Sequence, residues 1–268
     1  MAQTGNKQQD KRVSARERIQ AAQLREQQAA KRRQRIVMAV SAVAVLALAG
    51  GVTLAITSAS DKDDKAKASS GVVVPANATG KDGLVITYGK ADAPHTMEVY
   101  EDFRCPVCKH FEAANGPAVA KLTEDGQVKV EYHLAAFLDK NLTGKGSRTA
   151  LAAAGAALNE GTDKFKQFHD VLYANQPDER EDGFGDVNHL LDLAGQVPGL
   201  KTDAFVKAVQ EGTYAPWAAK VSAAFNDSGV TGTPTVKVDG KTVDLFGDKT
   251  MVTPEEFTTR VKQAAGLQ

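Results

Sequence analysis

Two cysteines occur in the 268 residues, and both fall in one stretch, YEDFRCPVCKHF, as Cys105 and Cys108. If a helix opens at the first, the second lies one turn on, close enough to close a short disulfide. A thiol at a helix N-terminus faces unpaired N–H groups and the positive end of the dipole, which stabilise an anion. The Cys105 thiolate is therefore expected to form at lower pH than in a free cysteine, where the pKa is about 8.5. Pro106 suits an early helical position, which needs no N–H donor. Such a pair can cycle between dithiol and disulfide by thiol exchange. Three other readings compete, and the plainest, two buried inert cysteines, would not be expected at a strand-to-helix junction. A structural disulfide here would close a very small loop and add little chain-entropy stabilisation. Half of a zinc site would need a second ligand pair, and His95, His110, His133, His169 and His189 are scattered without a close pair.

Other groups stand near this motif or far from it. Glu101 and Asp102 precede Cys105, and either could move a proton to or from Cys108. The plainer reading makes them partly solvated acids at a strand end. Gly232-Thr233-Pro234-Thr235 runs directly into a strand pattern, and a proline there belongs at an edge or a special turn because it lacks a ladder donor. The acidic run PDEREDGFGD, from Pro177 to Asp186, lacks the ligand spacing of an EF-hand loop and reads as a solvated connection. Tyr214 and Trp217 read as packing. No Walker A, GxSxG or GxGxxG pattern supports a hydrolase or nucleotide enzyme. No cofactor and no metal site is expected.

The elements that must hold these residues alternate in type. Leu84–Tyr88 and Thr96–Tyr100 read as strands, followed by a helix from Pro106 to about Thr123. Val128–Leu134 (VKVEYHL) alternates as a strand does. A helical block, in several pieces, fills about 145–226. Thr235–Val238 and Thr242–Phe246 read as strands joined by an Asp239-Gly240 turn. Thr253, Pro254 and Glu256 open a last helix as a capping box. The order is β, α, β, helical block, ββα: an α/β fold with a mixed sheet, helices on its faces and a helical insertion.

Composition sets the wider frame. Apolar residues make up 42% and the net charge is zero, which suits a globular protein and gives no electrostatic case for a nucleic-acid partner. The zero hides a segregation. Residues 1–35 carry ten Lys/Arg and three Asp/Glu, residues 36–57 carry no charge, and the remainder holds 23 Lys/Arg against 30 Asp/Glu. The uncharged stretch is long enough to span a bilayer. The basic flank predicts a cytoplasmic tail (1–35), a single transmembrane helix (36–57) and an extracytoplasmic body. A cleaved signal peptide is the alternative, with a shorter apolar region and a small-residue cleavage site. Residues 58–81 read as a flexible linker and 82–268 as one domain.

On EDFRCPVC, FHDVLYANQP (Phe168–Pro177), GTY with Trp217 shortly after, and GVTGTPTVKVDGK (Gly229–Lys241), the sequence resembles the thioredoxin superfamily. Within it the match is to DsbA-like thiol–disulfide oxidoreductases, more narrowly to membrane-anchored bacterial members of the actinobacterial type. The resemblance implies a thioredoxin-like fold with an inserted helical domain. It implies Cys105 as an exposed nucleophile, Cys108 as a buried resolving thiol, and Thr233-Pro234 as a cis-proline loop that holds extended substrate. It further implies an oxidase acting on the thiols of unfolded or extended secreted proteins, with a membrane partner that re-oxidises or reduces it. A reductase or isomerase of the same fold, or a peptide-binding module using the cis-proline groove, are the alternatives. The sequence departs from the family in having Pro-Val between the cysteines, and Val99 where many members carry a buried acid.

Overall fold

The computed structural model describes residues 71–248 and 250–267. The basic tail, the apolar run 36–57 and most of the linker lie outside them. No helix among the described residues is long and apolar enough to cross a membrane.

Five strands form one sheet in the order β1-β3-β2-β4-β5. They are β1 (Ile86–Tyr88), β2 (His95–Asp102), β3 (Val128–Ala135), β4 (Thr235–Val238) and β5 (Lys241–Val243). The central β2 pairs in parallel with β3 and antiparallel with β4. Its first residues are half-buried, and from Val99 to Asp102 every residue is buried. The strand therefore delivers its C-terminal end into the interior, the end at which open α/β sheets bind their ligands. The β4–β5 turn follows the chemistry of Asp239-Gly240, with φ values of 49° and 78°, as a two-residue hairpin of mirror type requires.

Helix α1 (Pro106–Glu124) leaves directly from this end of β2. The helical block comprises α2 (Leu138–Asn141), α3 (Gly146–Glu160), α4 (Thr162–Ala174), α5 (Val187–Ala194), α6 (Asp203–Glu211) and α7 (Ala215–Asp227). Last comes α8 (Pro254–Ala265), which packs on α1 through an edge-to-face pair, Phe111 with Phe257. In α4 the 3.6-residue period puts Phe165, His169 and Tyr173 on one buried stripe, and Phe165 and His169 both lie against Tyr132 of β3. Gly155 of α3 admits the Trp217 ring of α7: a Cβ there would stand 2.7 Å from a ring carbon. Trp217 is fully buried and its indole donates to the Gly83 carbonyl at 2.7 Å, so it packs, as expected.

Several boundaries differ from expectation. The strand expected over Thr242–Phe246 stops at Val243. Asp244 Oδ1 accepts from the Phe246 N–H at 3.2 Å and turns the chain into a separate small hairpin, β6 (Phe246–Gly247) with β7 (Thr250–Met251). The linker expected to run to residue 81 gives way earlier. Ala76 N–H donates to Asn159 Oδ1 at 3.1 Å, Asn77 donates to the Leu158 carbonyl at 2.8 Å, and Thr79 bridges to Val85. The acidic loop is more than solvated: Asp182 accepts from the Lys145 and Gly146 N–H groups and so caps α3. Thr253 caps α8 by accepting from the Glu256 N–H, but the Glu256 carboxylate turns to Arg260, so the box is only half formed.

Candidate active site

The junction between β2 and α1 is built by a few hydrogen bonds. Cys105 N–H donates to the Asp102 carbonyl at 2.8 Å, turning the chain out of the strand. Cys105 then has extended φ/ψ of −75° and 115°, caps α1, and its sulfur accepts from the Cys108 N–H at 3.4 Å. Pro106 occupies the first turn. Gln176, just past α4, clamps the junction by donating to the carbonyls of both Phe103 (2.8 Å) and Cys105 (3.0 Å). Arg104, buried between strand and helix, is held by Asp139 at 3.0 Å and by the carbonyls of Thr143 and Glu179. A buried charge needs such partners.

The two thiols differ sharply. The Cys105 pKa is lowered to about 7, first by the Cys108 side chain as hydrogen-bond partner, with burial opposing, and then by the N–H groups of Cys108 and Val107. The helix start therefore acts on the sulfur as expected. Burial pushes the Cys108 thiol well up, and Cys105 and the Glu101 charge push it further. Cys105 is only 6% exposed, against 0% for Cys108. The expectation of an exposed nucleophile is thus corrected: only an edge of the residue meets solvent. The loop before β4 covers it, with the Thr233 carbonyl 3.4 Å from the Cys105 sulfur. The Thr233-Pro234 bond is cis. The Thr233 hydroxyl is buried without a partner.

Glu101 and Asp102 are fully buried, not the partly solvated acids of the plainer reading, because β2 ends inside the molecule. They face different surroundings. Burial raises the Asp102 pKa to about 6, opposed by hydrogen bonds from Ser147 Oγ (2.6 Å) and the N–H groups of Arg104 and Leu138. Asp102 is thus engaged in tying β2 to the helical block. Glu101 Oε2 lies 3.0 Å from His169 Nε2, and its Oε1 has no partner. His169 Nδ1 lies 3.1 Å from Asp170. Burial alone would lower the His169 pKa, but hydrogen bonds to Asp170 and Glu101 overcome it and raise it to about 9. Glu112 completes the group: burial, then the Glu101 charge, raises its pKa to about 8.

Sequence reasoning missed Gln176, His169 and Glu112. Glu112 was within reach, since it follows Cys108 by four residues and so shares its helix face. His169 and Gln176 come from the helical block, and only the tertiary fold brings them to the cysteines.

A thioredoxin-like sheet, a dithiol at the first turn of the helix that follows the central strand, and a cis-proline loop against the first sulfur together define a DsbA-like thiol–disulfide oxidoreductase. Comparison with known proteins agrees. A family model described as thioredoxin matches residues 81–263, and the chain belongs to that family. It is 31% identical over 161 residues to disulfide bond formation protein D of Bacillus subtilis, covering 60% of this chain and 70% of that protein. Among solved structures it is similar to oxidised BdbD of Bacillus subtilis, with TM-score 0.56 and 29% identity over 67% of this chain and 92% of that one. Reduced DsbA of Mycobacterium tuberculosis matches with TM-score 0.54 and 29% identity over 67% and 88%.

Proposed function

We propose that this chain is a membrane-anchored, extracytoplasmic disulfide oxidase. Cys105 is its nucleophile and Cys108 its resolving thiol. A substrate thiolate attacks Cys105 of the Cys105–Cys108 disulfide. The S–S bond breaks, Cys108 leaves as a thiolate and takes a proton, and a mixed disulfide forms at Cys105. A second substrate thiolate attacks the substrate sulfur of that bond and releases the Cys105 thiolate. Two electrons have passed from the substrate dithiol to the protein, and a membrane partner removes them. Glu101 is the proton donor and acceptor for Cys108, since its charge bears on that thiol while Asp102 is held by three hydrogen bonds. Thr233 and Pro234 hold an extended segment of an unfolded secreted protein beside Cys105. Anchoring by residues 36–57 would keep the domain where disulfides persist.

The observation that carries thiol exchange is the pairing of a thiol poised near pH 7 with a buried one a turn away. The oxidase direction leans on the relative's name, a disulfide bond formation protein. One observation favours a reductase instead: a Cys105 pKa of about 7 sits near thioredoxin's value of about 7 and far from about 3.5 in the strongest oxidase. A mild oxidant accommodates both. Equilibration with glutathione buffers tests the direction. An oxidase should show a potential above about −230 mV, in the range of glutaredoxins and protein disulfide isomerase. A value near thioredoxin's, about −270 mV, would hand the assignment to the reductase.

A further inference from the structure

Behind the cysteines, the group formed by buried Glu101 and His169 with half-buried Glu112 has a composition that proton transfer alone does not require. Each offers one ligand atom, and these atoms all lie within 4.8 Å of one another. We propose that these three side chains form a binding site for a first-row divalent cation of the Zn2+ type, distinct from the dithiol. One imidazole and two carboxylates are a donor set that zinc accepts, with a fourth position left open to water.

Four observations support the assignment. First, the His169 ring is already oriented as in metal sites. Asp170 holds Nδ1 at 3.1 Å and leaves Nε2 pointing at the Glu101 carboxylate, 3.0 Å away, where a bound cation would take the place of the Nε2 proton. A carboxylate behind a ligating histidine fixes its tautomer and increases its basicity. Second, Glu101 Oε1 is buried and has no hydrogen-bond partner. An unpaired buried carboxylate oxygen is costly, and an ion would satisfy it. Third, there is a route in. A cavity of about 420 Å³ lies between α1 and α4, and Glu112, Lys166, Asp170 and Tyr173 are among its lining. Glu112 is half-buried and stands between that cavity and the enclosed Glu101–His169 pair. The Tyr173 hydroxyl is also buried without a partner. Fourth, the neighbouring cation is occupied: Lys166 Nζ binds both oxygens of Asp170, at 2.6 and 2.7 Å. Tetrahedral zinc at about 2.0–2.1 Å from N and O ligands needs ligand atoms roughly 3.3 Å apart. Glu101 and His169 already stand 3.0 Å apart, so Glu112 is the side chain that must close that gap.

The test uses the full chain with its disulfide formed, so that no thiol competes and the result is independent of the redox reading. Calorimetry with Zn2+ alone should show stoichiometric binding. Co2+ in its place should give visible ligand-field absorption without the near-ultraviolet bands of sulfur ligation. Glu112→Gln and His169→Gln should each weaken binding at least tenfold. Asp170→Asn should weaken it by about 10–100-fold, as loss of an outer-shell partner does. Crystals of the oxidised wild type soaked in Zn2+ should show anomalous scattering bonded to His169 Nε2, a readout that stands even if a variant fails to fold. No Zn2+ binding by the oxidised chain, binding unchanged in Glu112→Gln and His169→Gln, or scattering located elsewhere would overturn the proposal.

Discussion

Cys105 and Cys108 are separated in sequence by Pro-Val, and their properties are separated by environment. Cys105 takes its proton equilibrium from the Cys108 hydrogen bond and the open end of α1; Cys108 is set by burial and by Glu101. In the reduced protein, iodoacetamide should therefore modify Cys105 with a rate that rises through a midpoint near pH 7, while Cys108 stays unreactive. Peptide mapping after short alkylation pulses reads both. Equal rates, or a midpoint near 8.5, would show that the helix end does not act on the sulfur. The same shift fixes a sign for stability. A thiol whose folded pKa is depressed stabilises the reduced fold above its unfolded pKa, and that stabilisation is lost as pH falls through the folded value. The urea midpoint of reduced wild type, relative to reduced Cys105→Ser, should accordingly rise between about pH 7 and 9. The cysteine chemistry was legible from residue types and spacing alone, because helix-end electrostatics are local. The partners of Glu101 were not. His169 lies 68 positions away in sequence, and nothing in a single sequence reports that α4 lays its buried stripe across the end of β2.

At the scale of elements, legibility followed the strength of local signals. The helix after Cys105, the last helix and the strand over Thr235–Val238 have marked starts: a thiol cap with Pro106, a threonine cap with Pro254, and a proline before the strand. Expected and observed starts agree there. The end of β5 was misread because Val243-Asp244-Leu245 alternates like a strand, while the Asp244 side chain competes for the backbone and turns it. Packing between elements makes two expectations. Gly155→Ala would place a methyl 2.7 Å from Trp217 and 3.2 Å from Tyr214 Cβ. Two helices would have to part, and urea unfolding should show a loss of about 1–3 kcal/mol, the usual cost of overpacking. A neutral result would mean that α3 and α7 pack more loosely than described. Arg104→Ala removes the partner of buried Asp139 and should cost about 3–5 kcal/mol. Arg148→Ala, at an exposed position facing the same acid, should cost less than about 1 kcal/mol.

The whole molecule joins an exchange site to a charge pattern that reads as a membrane anchor. If residues 36–57 remain attached, peptides from the basic residues 1–35 should be found by mass spectrometry in the membrane fraction, joined to the thioredoxin domain. A soluble form beginning near residue 60 would replace the anchor with a cleaved leader. The claim on which the rest depends is that this chain exchanges its disulfide with protein thiols through Cys105. Its most direct test mixes a reduced, unfolded test protein with oxidised wild type and with the Cys108→Ser and Cys105→Ser variants, each single-cysteine variant first activated as a mixed disulfide with a small thiol. Non-reducing electrophoresis and mass mapping then read the adducts. Wild type should lose its disulfide as substrate thiols disappear, Cys108→Ser should accumulate a substrate adduct on Cys105, and Cys105→Ser should form almost none. Substrate thiols left intact by the wild type, or adducts gathering on Cys108, would contradict it.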